Sequence, residues 1–260
     1  MPIVDLNSDL GESFGEWTIG DDGAMLPLVT SANLACGFHG GDPATMLAAA
    51  TLAVRHGVVI GAHPSYRDLV GFGRRDMEVT AEQLHADLLY QVGALQLIAH
   101  QAGGSVDYIK LHGALYNRAA SDPTVADVVA ETARALELPL LGLPESELDH
   151  ASRRAGVHFV REAFADRGYL ADGTLAPRSL DGALLTDPEV IAARVVDLVT
   201  TGDVQAIDGS TVTLHADSIC VHGDTPGAVA IARAVRSALQ NAGVQLKAFA
   251  PTLTRGAIDS

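Results

Sequence analysis

The chain has 260 residues, of which 48% are hydrophobic and 19% charged, and its formal net charge is -15. The length fits one (β/α) barrel domain spanning 1–260, for which about 250 residues is typical, and no Pro/Ser-rich or charged linker divides it. The acidic surplus, with no basic patch against it, argues against nucleic acid or an anionic membrane as a partner.

A strand is expected at 3–7, running into Asp5, Asn7, Asp9 and Glu12, and a second at 30–35, running through Asn33 to His39. Asp42-Pro43 then opens a helix that Gly57 closes. The run 58–62 ends at His63, and the following connection, Pro64 to Val79, is long for a barrel turn. Thr80 with Gln83 forms a capping box, and Leu84, Leu88, Val92, Leu95 and Ala99 continue one apolar stripe. The run 107–111 carries Lys110 and leads to His112, and Ser121-Asp122-Pro123 starts the next helix.

Strands at 139–143 and 157–161 follow, the second leading to Glu162, and a long connection from Ala163 to Asp181 holds Asp166, Arg167 and Arg178. Thr186-Asp187-Pro188-Glu189 repeats the capping-box pattern, and Val204–Ile207 with Thr211–Leu214 around Asp208-Gly209 reads as an inserted β-hairpin. The run 219–222 ends at His222, Thr225-Pro226 opens the last long helix, and a weak strand falls at 244–249. Strand and helix therefore alternate, which means parallel strands with right-handed crossovers. The expected class is α/β, an incomplete TIM-like (β/α)7 barrel with a hairpin inserted before the last strand.

No basic-then-apolar leader precedes the first strand, and no apolar stretch approaches the ~18 residues of a membrane helix, so a cytoplasmic protein is expected. Cys36 and Cys220 end predicted strands and read as buried small side chains. Trp17 is expected to pack a loop. His56, His85, His100 and His150 lie on predicted helices and read as solvent-facing.

The informative feature is that six strand-like runs end in histidine, carboxylate or lysine. In α/β proteins the carboxyl ends of the strands form the ligand site. Alternation puts Asp5, Asn7 and Asp9 on one face and Lys110 and His112 on one side. A lysine inside a barrel needs a carboxylate or an anionic ligand, and Glu162 and Asp166 are natural partners. The histidines can hydrogen-bond a polar substrate, move protons near neutral pH, or bind a transition metal with Asp9. No Gly-x-Gly-x-x-Gly, P-loop or Gly-x-Ser-x-Gly motif is present. The residues alone indicate an acid/base or metal-assisted enzyme for a small polar molecule.

The blocks Asp5–Glu12, Asn33–Asp42, Gly61–Tyr66, Lys110–Asn117, Glu162–Arg167, Pro177-Arg178 and Val221–Asp224 resemble those of the LamB/YcsF family, in the same order. The resemblance implies a seven-stranded barrel related to polysaccharide deacetylases. It also implies ATP-dependent opening of 5-oxo-L-proline to L-glutamate, with Mg²⁺-ATP as co-substrate and with 5-oxoprolinase subunits B and C as partners. In that chemistry the lactam oxygen is phosphorylated and water attacks the ring carbon. On this reading Asp166 or Glu162 is the general base, His112 serves the ring nitrogen, and Lys110 stabilises the substrate carboxylate or the oxyanion. Asn7, Asp9, Glu12, Asn33, His39, His63, Arg178 and His222 position substrate, phosphate or Mg²⁺. The alternatives are a metal-dependent amide or N-acetyl hydrolase using Asp9, His39 and His63, and a non-catalytic protein that binds the substrate for its partners. A resident transition metal is not expected.

Overall fold

The computed structural model describes residues 1–225 and 227–250. Strands β1 (Ile3–Leu10), β2 (Ser31–Ala35), β3 (Val59–His63), β4 (Val106–Lys110), β5 (Leu140–Gly142) and β6 (Phe159–Phe164) pair in sequence order, all parallel. An antiparallel hairpin of β7 (Asp203–Gln205) and β8 (Thr211–Thr213) intervenes before β9 (Ser218–Cys220). Strand β9 pairs with β6 on one side and β1 on the other, with Asp5 opposite Ser218 and Asn7 opposite Cys220, and this closes a ring of seven. The expected weak strand forms as β10 (Gln245–Leu246), but it adds to the start of β1 outside the ring, so no eight-stranded barrel results.

The crossovers are helical: α1 (Asp22–Met25), α2 (Pro43–His56), α3 (Ala81–Gln101), α4 (Gly113–Ser121), α5 (Pro123–Ala135), α6 (Glu147–Ala155), α7 (Pro188–Thr201) and α8 (Ala228–Asn241). Three of the predicted caps hold. Asp42 and Asp122 cap α2 and α5, each ahead of a proline in the first turn, and Thr80 and Gln83 form the reciprocal box on α3. At α7 the capping residue is Asp187, whose carboxylate accepts from the Glu189 and Val190 amides, so the box expected from Thr186 is not the cap. Pro226, expected to open α8, lies outside the described residues.

Outward strand residues such as Val4, Leu6, Leu34, Ile60 and Ile219 pack beneath the helices in the main apolar core. The interior of the ring is different. At one end Val59, Tyr108, Leu141, Val160 and Ala250 form a small apolar cluster, with the Tyr108 and Phe249 rings 4.8 Å apart. Above it the interior is polar. Gly61 makes this crossing feasible, because a Cβ there would sit 2.2 Å from the Tyr108 ring. The phenol thus spans the barrel and donates to Asn33 Oδ1 at 2.6 Å. Trp17 meets Phe14 across its loop, with ring centroids 6.4 Å apart, but stays 58% exposed. No helix among the described residues is long and apolar enough to cross a membrane.

Candidate active site

Alternation along β1 delivers Asp5, Asn7 and Asp9 to the interior in three layers. Asp5 Oδ1 accepts from Thr30 and Ser31 at 2.5 and 2.7 Å, and its other oxygen accepts from Ser218. Asn7 donates to Glu162 Oε1 at 3.1 Å and to Ser218 Oγ at 2.7 Å, and accepts from Asn33 at 2.7 Å. Asp9 Oδ1 accepts from Asn33 at 2.8 Å.

Lys110 is the hub of this network. Its Nζ lies 2.8 Å from both Asp9 Oδ1 and Glu162 Oε1, 3.3 Å from Asn7 Oδ1 and 3.1 Å from Cys220 Sγ. Burial works against the charge, yet Asp9, Cys220 and Glu162 raise the ammonium well above its usual value. Burial likewise opposes ionisation of Asp9, but His63 and Lys110 hold its carboxyl well below the usual range. The pair is therefore ionised. The remaining Glu162 oxygen accepts from Tyr116 at 2.9 Å, so both of its oxygens are committed.

A second cluster sits at the rim. His39 Nε2 is 3.0 Å from Glu12 Oε1, His112 Nδ1 is 3.3 Å from the same oxygen, and His63 Nε2 is 3.0 Å from His112 Nδ1. His63 Nδ1 donates to the Lys110 carbonyl and His112 Nε2 to the Phe72 carbonyl, both at 2.8 Å. The loop after β3 covers these rings closely. A Cβ on Gly73, whose φ is +65°, would meet His112 Cδ2 at 2.7 Å. Burial, and then Asp9, raise the Glu12 carboxyl well above its ordinary value.

The third group lies across the opening. His222 Nδ1 donates to Asp166 Oδ1 at 2.8 Å, Thr225 donates to Asp166 Oδ2 at 3.0 Å, and the His222 ring stacks on Phe164 at 5.2 Å.

Members of all three groups border a cleft of about 540 Å³ at the carboxyl ends of the strands. Asp9, Glu12, His63, Lys110, His112, Arg178 and His222 reach its wall. Asn7, Asn33, His39, Glu162 and Asp166 do not line it; they stand behind the wall and fix those that do. Both long connections contribute, Arg74 from the first and Thr174 to Arg178 from the second. Among the described residues no carboxylate forms an ion pair with Arg178, and burial followed by the neighbouring Arg74 lowers its guanidinium from the usual value. Arg74 instead pairs with Asp224.

Sequence reasoning assigned no role to Tyr116, Tyr108, Arg74 or Asp224. Tyr116 and Asp224 stand inside the motif blocks, where hydroxyl and carboxylate side chains beside strand-end histidines are a readable signal. Cys220, read as a plain buried thiol, is free and buried but also touches Lys110. Candidate ligand sets also differ from expectation. His39 and His63 group with Glu12 and His112, whereas Asp9 groups with Cys220 and His222.

Fold and site thus define a closed seven-stranded (β/α) barrel with a buried acid–imidazole–lysine network under a carboxyl-end cleft. The chain belongs to the LamB/YcsF family, whose model matches residues 4–254. The A subunit of 5-oxoprolinase from Mycobacterium avium is 54% identical over 96% of this chain and 100% of its own length. A 5-oxoprolinase A subunit from Pseudomonas syringae pv. tomato is 53% identical over 96% of this chain and 98% of its own. The crystal structure of a lactam utilization protein from Thermus thermophilus superposes with a TM-score of 0.91, at 48% identity, covering 95% of this chain and all of that one.

Proposed function

We propose that this chain is one component of an ATP-dependent 5-oxoprolinase that opens the lactam of 5-oxo-L-proline to L-glutamate. Family membership and relatives named for that enzyme over nearly their whole length support the reading. Mg²⁺-ATP is the co-substrate and subunits B and C are the partners. An unactivated five-membered amide recloses readily because both ends share one molecule, so opening needs coupling to a second reaction. The amide oxygen takes the γ-phosphoryl group of ATP, water adds to the ring carbon, the C–N bond breaks to leave a γ-glutamyl phosphate, and a second water hydrolyses that acyl phosphate to L-glutamate and phosphate.

The observation that carries the catalytic assignment is His222 at the cleft wall, held from behind by Asp166. Asp166 accepts a hydrogen bond from Nδ1–H, which leaves Nε2 as the ring nitrogen able to take up a proton. His222 takes a proton from the attacking water and returns it to the departing ring nitrogen. Asp166 is a positioning residue here. Glu162 is committed to Lys110, Asn7 and Tyr116, which favours His222 over it as the base. Arg178 receives the substrate carboxylate, and Lys110 with Asp9 provides an ionised floor.

The test is glutamate release by the reconstituted three-component complex, with and without ATP. Release should require ATP, and His222→Ala should lower turnover by about 10²–10⁴-fold. Wild-type turnover in His222→Ala sinks the base assignment. ATP-independent release would instead favour a simple amide hydrolase.

A further inference from the structure

We infer that Glu12, His63 and His112 form a binding site for one divalent transition-metal ion, of the class that takes zinc. A backbone carbonyl can only accept, so the bonds to the Lys110 and Phe72 carbonyls put the hydrogens on His63 Nδ1 and His112 Nε2. In the neutral rings His63 Nε2 and His112 Nδ1 then carry bare lone pairs. These face each other at 3.0 Å with no hydrogen between them. The Glu12 carboxylate oxygen lies 3.3 Å from one and 4.0 Å from the other. With Glu12 ionised, three buried electron-pair donors aimed at one point repel each other, and a cation among them turns that repulsion into attraction and favours the ionised carboxyl.

The spacing suits such a cation. A triangle with sides of 3.0, 3.3 and 4.0 Å has a circumradius of about 2.0 Å, so one point lies at the Zn–N and Zn–O bond length from all three atoms. The His63 and His112 planes cross at 90°, which lets both rings point edge-on at that place. His39 belongs to the surround. Its ring lies 3.7 Å from that of His112 and 4° from parallel, so an ion in the plane of one is far out of the plane of the other. Instead His39 Nε2 donates to Glu12 Oε1 at 3.0 Å, and its Nδ1 is buried with no partner among the described residues. Each ligand therefore has its own outer support, two carbonyls and one imidazole, as metal ligands do. Asp9 Oδ2 stands 3.4 Å from His63 Nε2, while its other oxygen is held by Lys110 and Asn33.

Three protein ligands leave a fourth position, and all three line the cleft, so that position opens towards whatever occupies it. Two imidazoles and a carboxylate suit zinc or cobalt better than magnesium, which prefers an all-oxygen shell.

The experiment uses the full-length chain stripped with a chelator and titrated with Zn²⁺ and Co²⁺, followed by calorimetry and visible absorption. One equivalent of Zn²⁺ should bind, and Co²⁺ should give the visible bands of a four- or five-coordinate N/O site. His39→Ala should weaken binding about 10–100-fold, and Glu12→Gln and His63→Ala by more than that. Less than one equivalent in the wild type, or affinity unchanged in Glu12→Gln and His63→Ala, overturns the site. Should those two variants fail to fold, the wild-type Co²⁺ spectrum decides, since absence of its bands also overturns it. The titration needs neither substrate nor ATP, so failure of glutamate release would leave it untouched.

Discussion

Lys110 shows how one residue couples stability to chemistry. A buried ammonium carries a large desolvation penalty, and here two carboxylates, an amide oxygen and a thiol surround it. Removing the cation strands Asp9 and Glu162 as unpaired buried anions, which costs more than the ion pairs themselves contribute. Lys110→Met should therefore lower the unfolding free energy by about 3–5 kcal/mol, read by urea denaturation. A loss below about 1 kcal/mol would mean that the carboxylates are not held as described. That Lys110 and His112 share one side of their strand was legible from parity alone. The lysine's partners were legible only in part. Glu162 was anticipated, but Asp166 turned out to serve His222, because the register of β6 against β9 decides which acid faces which strand, and side-chain alternation does not report register.

At the scale of elements, helix boundaries were the most readable feature, because Asp-Pro and Thr-x-x-Gln caps are local chemistry. Helix α4 was not flagged, since it starts at Gly113 directly after His112 with no side-chain cap. Strand β1 carries the greatest burden. It pairs with β2, β9 and β10, and Asp5 ties the first two together through Thr30, Ser31 and Ser218. Burial pushes the Asp5 carboxyl up to about 6, despite three hydroxyl donors. The folded state thus holds this proton more tightly than the unfolded chain. The stability this adds is complete below the unfolded value, near 4, and is lost as pH rises through about 6. Asp5→Asn should flatten the fall in unfolding free energy between about pH 4 and 7, by roughly 3 kcal/mol at most. An unchanged slope would show that Asp5 does not titrate in that window.

Across the whole molecule, the seven-stranded ring was legible because alternating apolar runs and amphipathic helices allow few other topologies. The covering of the imidazoles by the loop around Gly73 was not, since such contacts depend on where distant loops settle. The charge balance leads to a further consequence. With 32 acidic and 17 basic residues, no arrangement of pairs neutralises the surface, and the excess carboxylates face net repulsion. Surface pairs such as Arg134–Glu131 and Arg154–Asp127 are each worth at most about 1 kcal/mol, and salt weakens them. Salt weakens the unpaired repulsion too, over a screening length of about 8–10 Å. Repulsion involves more charges at longer range, so its relief should win. Raising NaCl from about 10 to 200 mM should raise the melting temperature, by roughly 2–4 °C for each kcal/mol recovered. The buried Lys110–Asp9–Glu162 group is shielded from the solvent ions and should contribute nothing to the shift. A melting temperature that falls with salt would show that specific ion pairs, and not the acidic excess, dominate the surface energetics of this barrel.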